Sequence, residues 1–281
     1  MDGIFLVDKP AGVTSRDVVN KLSKQLGEKK IGHVGTLDPF ATGLLVIVVG
    51  KGTKIAPFIE KVDKQYIATL KLGIKTNTLD LEGKIIDTQP VPELNKEMVN
   101  NTLKSFVGKL DQVPPMFSAI KCNGVPLYKL ARSNIEVERK VRTIEIYKTR
   151  LIKLSGDEIR FSVNCSKGTY IRTFGEQIAE KLGTVGHLVQ LKRTKVGQFE
   201  LKNAHAPNKI CESHLINCTE ALSHMDIVEV NNEIAMDIKN GKTIELLNHD
   251  QQVLFVDENR NSLAVYEKIN DNIYKCVRGL F

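Results

Sequence analysis

The segment from Gly32 to Gly43, GHVGTLDPFATG, holds the residues best placed to do chemistry. Glycines at 32, 35 and 43 let the backbone turn tightly and approach a ligand closely, and Pro39 keeps Asp38 extended rather than helical. A carboxylate in such a loop can serve catalysis, or it can form a turn or cap a helix; the residue types alone leave both readings open. Other candidate sets are poorer. Cys211, His214 and Cys218 fall at helical i, i+3, i+7 spacing with His205 and His224 nearby, but they match no common zinc motif. Gly50-Lys51-Gly52-Thr53 lacks both the upstream glycine and the Ser/Thr directly after the lysine that a phosphate loop needs. From Lys109 to Lys153 ten Lys/Arg stand against four acids, nearly the whole surplus of a chain whose net charge is +7. With Phe117, Tyr128 and Tyr147 among them, this stretch favours a nucleic-acid partner over a merely solvated face.

The elements that would position these residues follow from pattern. Residues 4–7 form a short strand. A helix starts from Thr14/Ser15, buries Val18, Val19, Leu22 and Leu26, and stops at Gly27. Residues 32–43 are a loop, 44–49 a buried strand and 64–72 a strand carrying Tyr66, with 83–87 able to pair with it. An amphipathic helix covers 92–106. Residues 118–132 make a compact basic excursion around an Asn123-Gly124 turn. Residues 142–154 and 159–165 form an antiparallel pair in which Ile159, Phe161, Val163 and Cys165 point inward. Thr169 caps a helix with Ile171, Phe174, Ile178 and Leu182 on its apolar face. Residues 203–226 read as a linker, followed by a helix at 233–239 and strands at 253–256, 263–266 and 273–277.

Composition sets the bounds. At 281 residues and 42% hydrophobic content the chain can fill a core. No apolar run is long enough to span a bilayer, and the start lacks the pattern of a signal peptide. Five cysteines without a CxxC pair argue against a disulfide framework. The expectation is a reduced, cytoplasmic protein of class α+β with a mostly antiparallel or mixed sheet.

The 32–43 stretch resembles the aspartate motif of the bacterial tRNA pseudouridine-55 synthases, the TruB family, whose pattern is similar to GHxGTLDPxATGLL. Further matches follow in the family's order: Asp8-Lys9-Pro10 with Gly12 to Ser15, Lys64 to Ala68, Gly73 to Asp80, Val113 to Ala119, Cys165 to Thr173, and Leu191-Lys192-Arg193-Thr194. They run from residue 8 to about 195. The resemblance implies a pseudouridine-synthase-like sheet flanked by helices and loops over residues 1–225, with a basic thumb-like insertion at about 113–140. A small PUA-like β domain at 226–281 would follow.

It also implies an isomerase that breaks the N1–C1′ bond of the T-loop uridine at tRNA position 55, turns the uracil and rejoins C5 to C1′. No redox change, phosphate transfer or hydrolysis occurs, so neither cofactor nor metal is expected. By resemblance Asp38 is the essential carboxylate, acting as covalent partner or assisting elimination. To stay ionised in a dry site it needs a buried cation, and Arg172 is the residue assigned to it. Tyr66 would stack on the extruded base and accept a proton. Asp80 and Arg142 resemble a second acidic–basic pair, and His33 the residue that fills the gap left by the flipped base. Tyr170 and Leu191 would line the uracil pocket, while Lys9, Lys121, Arg132 and Arg139 would contact phosphates. The implied partner is the T-stem-loop of tRNA, with no membrane, no obligate protein partner and a monomeric chain.

Departures from the family pattern are Phe117 for a common Tyr, Lys192 for a frequent Arg and Phe40 for a smaller aliphatic. From Val228 to Phe281 six basic residues meet nine acidic ones, which disfavours phosphate binding there. Two rival readings are a non-catalytic RNA binder on the same scaffold and a carboxylate-dependent nucleoside hydrolase.

Overall fold

The computed structural model describes residues 1–133 and 135–281; Asn134, inside the expected thumb, lies outside the described residues. Strand β1 (Gly3–Lys9) is buried along most of its length. Thr14 and Asp17 form a reciprocal capping box that starts helix α1 (Ser15–Leu26), and Gly27 ends it at φ 64°. Strands β2 (Ile31–Val34) and β3 (Thr42–Val49) then enclose the glycine-rich segment. The expected 32–43 loop is therefore shorter. His33 sits in a strand opposite Ile47, because β2 hydrogen-bonds along β3.

Helix α2 (Ala56–Glu60) leads into β4 (Lys64–Leu72), whose bounds match the alternation in the sequence. Strands β5 (Ile74–Thr76) and β6 (Ile85–Thr88) form a separate ribbon. The 83–87 region does not pair with β4, whose two edges are taken by neighbours further along the chain. Helix α3 (Lys96–Lys104) is shorter than the expected 92–106, because the Asn95 side chain caps it by accepting from the Met98 N–H. Leu94 and Phe106 still pack on the core from outside the helix. Strand β7 (Gly108–Gln112) precedes the excursion, a ribbon of β8 (Lys121–Cys122) and β9 (Val125–Pro126) followed by α4 (Leu127–Arg132).

Strands β10 (Arg142–Ser155) and β11 (Glu158–Cys165) pair antiparallel, with Ile159, Phe161, Val163 and Cys165 fully buried. Helix α5 (Ile171–Lys181) buries its expected apolar face, but Thr169 does not cap it. The Thr169 hydroxyl donates to the Ser166 carbonyl instead. Tyr170 holds the cap position, its main-chain N–H and C=O both met by the buried Gln112 amide. Strand β12 (Gly186–Val196) was not foreseen from sequence and lies between β4 and β3.

With β13 (Phe199–Glu200) on β12 and β14 (Ile216–Asn217) on β1, ten strands form one mixed sheet, ordered β14-β1-β3-β12-β4-β11-β10-β7, β2 being attached to β3. The β3–β12 ladder is parallel and the other described ladders of this sheet are antiparallel. The front of the sheet packs under α1, α3 and α5 through residues such as Val19, Val99, Phe161 and Phe174. Residues 203–226 are not a free linker: β14 joins the sheet, and Cys218 and Ala221 of α6 (Cys218–Ala221) are buried against it.

A second sheet, β15-β17-β18-β19-β16, is built from β15 (Asp226–Glu229), β16 (Ile244–Glu245), β17 (Gln252–Val256), β18 (Ser262–Lys268) and β19 (Ile273–Gly279), with α7 (Asn232–Lys239) beside it. Its Leu254, Val256 and Val265 share a core with Ile4, Leu6, Leu44 and Val46 on the back of the large sheet. Among the described residues no helix is long and apolar enough to cross a membrane.

Candidate active site

The loop from Gly35 to Ala41 is held by side chains that arrive from three other elements. Ser15, at the start of α1, both donates to the Leu37 carbonyl and accepts from the Leu37 N–H. The fully buried Arg193 of β12 donates from Nε to the Leu44 carbonyl at 2.8 Å and from Nη2 to the Gly35 carbonyl at 2.8 Å. Lys9, also fully buried, donates to the carbonyls of Pro10, Val13 and Pro39. Gly43, at φ 98°, lies where β3 crosses β12; a Cβ there would collide with the Arg193 main chain. The loop is thus held at Gly35, Leu37 and Pro39 and pinned just beyond its end at Gly43 and Leu44, and its one carboxylate has little freedom.

Asp38 meets Arg172, the second residue of α5. Nε lies 2.9 Å from Oδ2 and Nη2 lies 3.1 Å from Oδ1, a two-pronged pair. The remaining donors of this buried guanidinium reach the Thr78 carbonyl at 2.9 Å and the Phe117 carbonyl at 2.7 Å, while Asp80 Oδ2 stands 3.5 Å from Nη1. Arg172 therefore ties together the aspartate loop, the turn after β5 and the root of the basic excursion.

Asp38 and Arg172 line a cavity of about 900 Å³, together with Tyr66, Tyr170, Leu191, Arg142, Lys64 and Arg193. That space is large enough for a nucleotide. Burial pushes the Asp38 carboxyl above the ordinary carboxylate range; Arg172 pulls it back and the nearby Asp80 charge pushes it further up. Burial also raises the Tyr66 hydroxyl, with the Arg193 cation opposing. The Tyr170 hydroxyl is raised by burial too. The Lys64 ammonium, drawn down to about 8 by burial, donates to the Glu60 and Val62 carbonyls.

Several sequence-derived assignments come together here and others do not. Asp38, Tyr66, Arg172, Tyr170, Leu191 and Arg142 share the cavity. Asp80 is not paired with Arg142. It faces Arg172 and bonds the Thr78 hydroxyl and the Glu82 N–H, whereas Arg142 is exposed at the start of β10. Lys9 cannot contact a phosphate, because its ammonium is enclosed by three carbonyls and drawn down to about 8 by burial. Arg139 is engaged with the Pro114 carbonyl and with Glu136, so it holds the excursion together.

Lys121 and Arg132 remain exposed on that excursion. His33 lies outside the cavity lining, its Nδ1 buried with no hydrogen-bond partner among the described residues. Burial lowers its pKa, keeping the ring neutral. Arg193 was missed as a site residue. Its signal was the alternation Leu191, Arg193 along β12, which puts an arginine on the same face as a pocket leucine. Cys211 and His214 are in contact, but Cys218 is buried elsewhere. Among the described residues no group of three or more His, Cys, Asp or Glu could hold a metal ion.

Comparison with known proteins places these features in context. The family model described as "TruB family pseudouridylate synthase (N terminal domain)" matches residues 23–171. A protein of Geotalea uraniireducens named tRNA pseudouridine synthase B is 49% identical over 204 residues, 73% of this chain and 66% of the relative, just under two thirds of its length. One of the same name from Mesoplasma florum is 37% identical over 278 residues, covering 99% of this chain and 97% of the relative. Among solved structures, a chain of a Cbf5-Nop10-Gar1 complex superposes with a TM-score of 0.76 at 21% identity, over 99% of this chain and 85% of that one, a likeness of fold.

Proposed function

This chain belongs to the TruB family of pseudouridylate synthases, and from that premise we propose that it isomerises the T-loop uridine of tRNA, position 55, to pseudouridine. The observation that carries this reading is the two-pronged Arg172–Asp38 pair, opening onto a cavity bounded by Tyr66, Tyr170 and Leu191. A uridine extruded from the loop would lie with its ribosyl–uracil bond against the Asp38 carboxylate. Unstacking it costs a few kcal/mol, offset by burial against the pocket side chains.

The carboxylate must be ionised to add to the sugar or base carbon or to assist elimination at C1′. Arg172 holds that ionised form and aims it, while burial and Asp80 work against it. A carboxylate held by one fork but short of water is a stronger nucleophile than a hydrated one. Tyr66 stacks on the uracil. Its raised hydroxyl stays protonated at neutral pH, so it can take the proton from C5 only as its own proton passes to water in the open cavity, the neighbouring Arg193 cation favouring the phenolate meanwhile. Neither a redox cofactor nor a metal is called for by this bond exchange. The same reading has the exposed Lys121 and Arg132 meet phosphates of the T-stem-loop, with the chain acting as a cytoplasmic monomer without an obligate protein partner. His33, two residues before the cavity wall, would enter the RNA only after a rearrangement of the β2 end.

The test is to incubate purified protein with unmodified tRNA, without additives or with a chelator, and map pseudouridines. One modified T-loop uridine, unaffected by chelator and absent with Asp38→Asn, is expected. Free uracil would instead indicate hydrolysis, and binding without any turnover would indicate a chaperone.

A further inference from the structure

The large sheet has a face that the cavity does not use. Side chains alternate along a strand. Since Tyr66 and Leu191 face the cavity, their neighbours Ile67 and Lys192 face the back. Over β1 and β3 that back is covered by the second sheet. Over β4, β11, β10 and the middle of β12 no described apolar cluster covers it: Ile67, at its centre, joins none of the three, and only the end of β12, at Val196, packs with the second sheet.

The register of the ladders sets what this bare face displays. Lys148 lies opposite Asn164, Arg150 opposite Ser162, and Lys153 opposite Arg160. One strand further, Ser162 lies opposite Ile67, and Ile67 opposite Lys192. The five cations Lys148, Arg150, Lys153, Arg160 and Lys192 are all exposed, and none forms an ion pair among the described residues. Strand spacing and rise put them in a patch about 14 Å on a side. Of the acids on or beside it, Asp157 is engaged with Lys71 and Glu200 with Lys195 and Lys202, while Glu158, on the same face of β11 as Arg160, forms no ion pair among the described residues, so the face keeps a net surplus of four cations.

The chemistry between the cations narrows the partner. Ser162, Asn164 and Gln190 offer hydroxyl and amide groups, and the apolar side chains on or beside the face stand singly: Ile67 at its centre, and the exposed Ile152 and Tyr147 at the two bulges of β10, the Tyr147 hydroxyl being bonded to Asp63. A membrane-binding face would carry large apolar side chains to insert, and a single-strand platform would carry aromatic rings for stacking. A protein interface would present apolar anchors at its centre. Uncompensated cations separated by small polar groups suit a double-helical RNA, whose wide minor groove displays phosphates and 2′-hydroxyls.

We propose that this bare face binds the backbone of a double-helical RNA stem belonging to a molecule other than the one in the cavity, since the sheet stands between the two. This site is independent of the catalytic reading. It gives the chain a second, sequence-independent hold on RNA.

The experiment uses the full chain mixed with one equivalent of unlabelled T-arm hairpin, so that no excess stem competes for the back face, and a labelled RNA duplex of about 16 base pairs is then added. The duplex should still bind. The variant K148Q/R150Q/K153Q/R160Q should bind it at least tenfold more weakly, with the slope of log K against log salt shallower by about three to four. Its turnover of the hairpin should stay within twofold of wild type. A matching unfolding midpoint checks its fold, and K148Q/R150Q alone should give an intermediate loss. Three outcomes would overturn the proposal: stoichiometric displacement of the duplex by the hairpin, equal duplex affinity in wild type and variant, or binding to phosphatidylserine vesicles without binding to the duplex.

Discussion

Arg172 and Asp38, 134 positions apart in the chain, meet through an ion-pair contact of 2.9 Å from Nε to Oδ2 and a hydrogen bond of 3.1 Å from Nη2 to Oδ1, and the same guanidinium donates to the Phe117 carbonyl at 2.7 Å. One side chain thus orients the Asp38 carboxylate and anchors the root of the basic excursion. An ammonium has the charge for this task but not the planar fork.

Arg172→Lys should therefore lower single-turnover pseudouridine formation by about two to three orders of magnitude, equivalent to roughly 3–4 kcal/mol and in the range for disrupting a buried charged pair. Equilibrium binding of T-arm RNA by filter retention should fall by less than tenfold. A variant with wild-type turnover would show that the fork does not matter.

The pH profile follows from the raised Asp38 carboxyl. Under the proposed function the ionised form is the active one, so the rate should climb as pH rises through its pKa, and this acid limb should lie above the usual aspartate value of 3.8. Asp80 contributes to the rise by like-charge repulsion. Asp80→Asn should move the limb to lower pH, whatever it does to the maximal rate. Stopped assays of kcat/KM across the acid range test the direction, and an upward move would contradict it.

Lys9 offers a stability test. Its ammonium is lowered in the folded protein from 10.5 to about 8, so between those values the unfolded chain binds more protons. Stability should then gain a contribution from Lys9 as pH rises from about 8 toward 10.5, and below about 8 that contribution is absent. Lys9→Met should flatten this part of the curve in urea titrations. It should leave the salt dependence of RNA binding unchanged, since a buried ammonium releases no counterions.

Gly43→Ala probes the crossing of β3 and β12. The position combines φ 98° with a main-chain contact to Arg193 that leaves no room for a methyl group. Destabilisation of at least about 2 kcal/mol is expected from strain and collision together, read as a lower urea midpoint at unchanged slope. Gly12→Ala, also at positive φ but with open space around it, should cost less.

Much of the local architecture was legible in the residues. The period-two pattern of 64–72 and 159–165 and the Thr14 and Gly27 caps each depend on neighbours a few positions away, and the observed elements agree with them. So was the gathering of Asp38, Tyr66, Arg172, Tyr170 and Leu191 in one place, through motifs that resemble a family. Other features depended on partners far along the chain. Whether Lys9 is wet or enclosed depends on how the Asp38 loop folds over it, and Asp80 faces Arg172 because its turn packs against the start of α5. Strand β12 was hidden because its polar and apolar residues alternate irregularly across two bulges, and only its position between β3 and β4 makes a buried Arg193 sensible. Short-range hydrogen bonding and side-chain periodicity are written in consecutive residues. Burial of a charge is decided by distant carbonyls and carboxylates, and these come together only when the sheet closes.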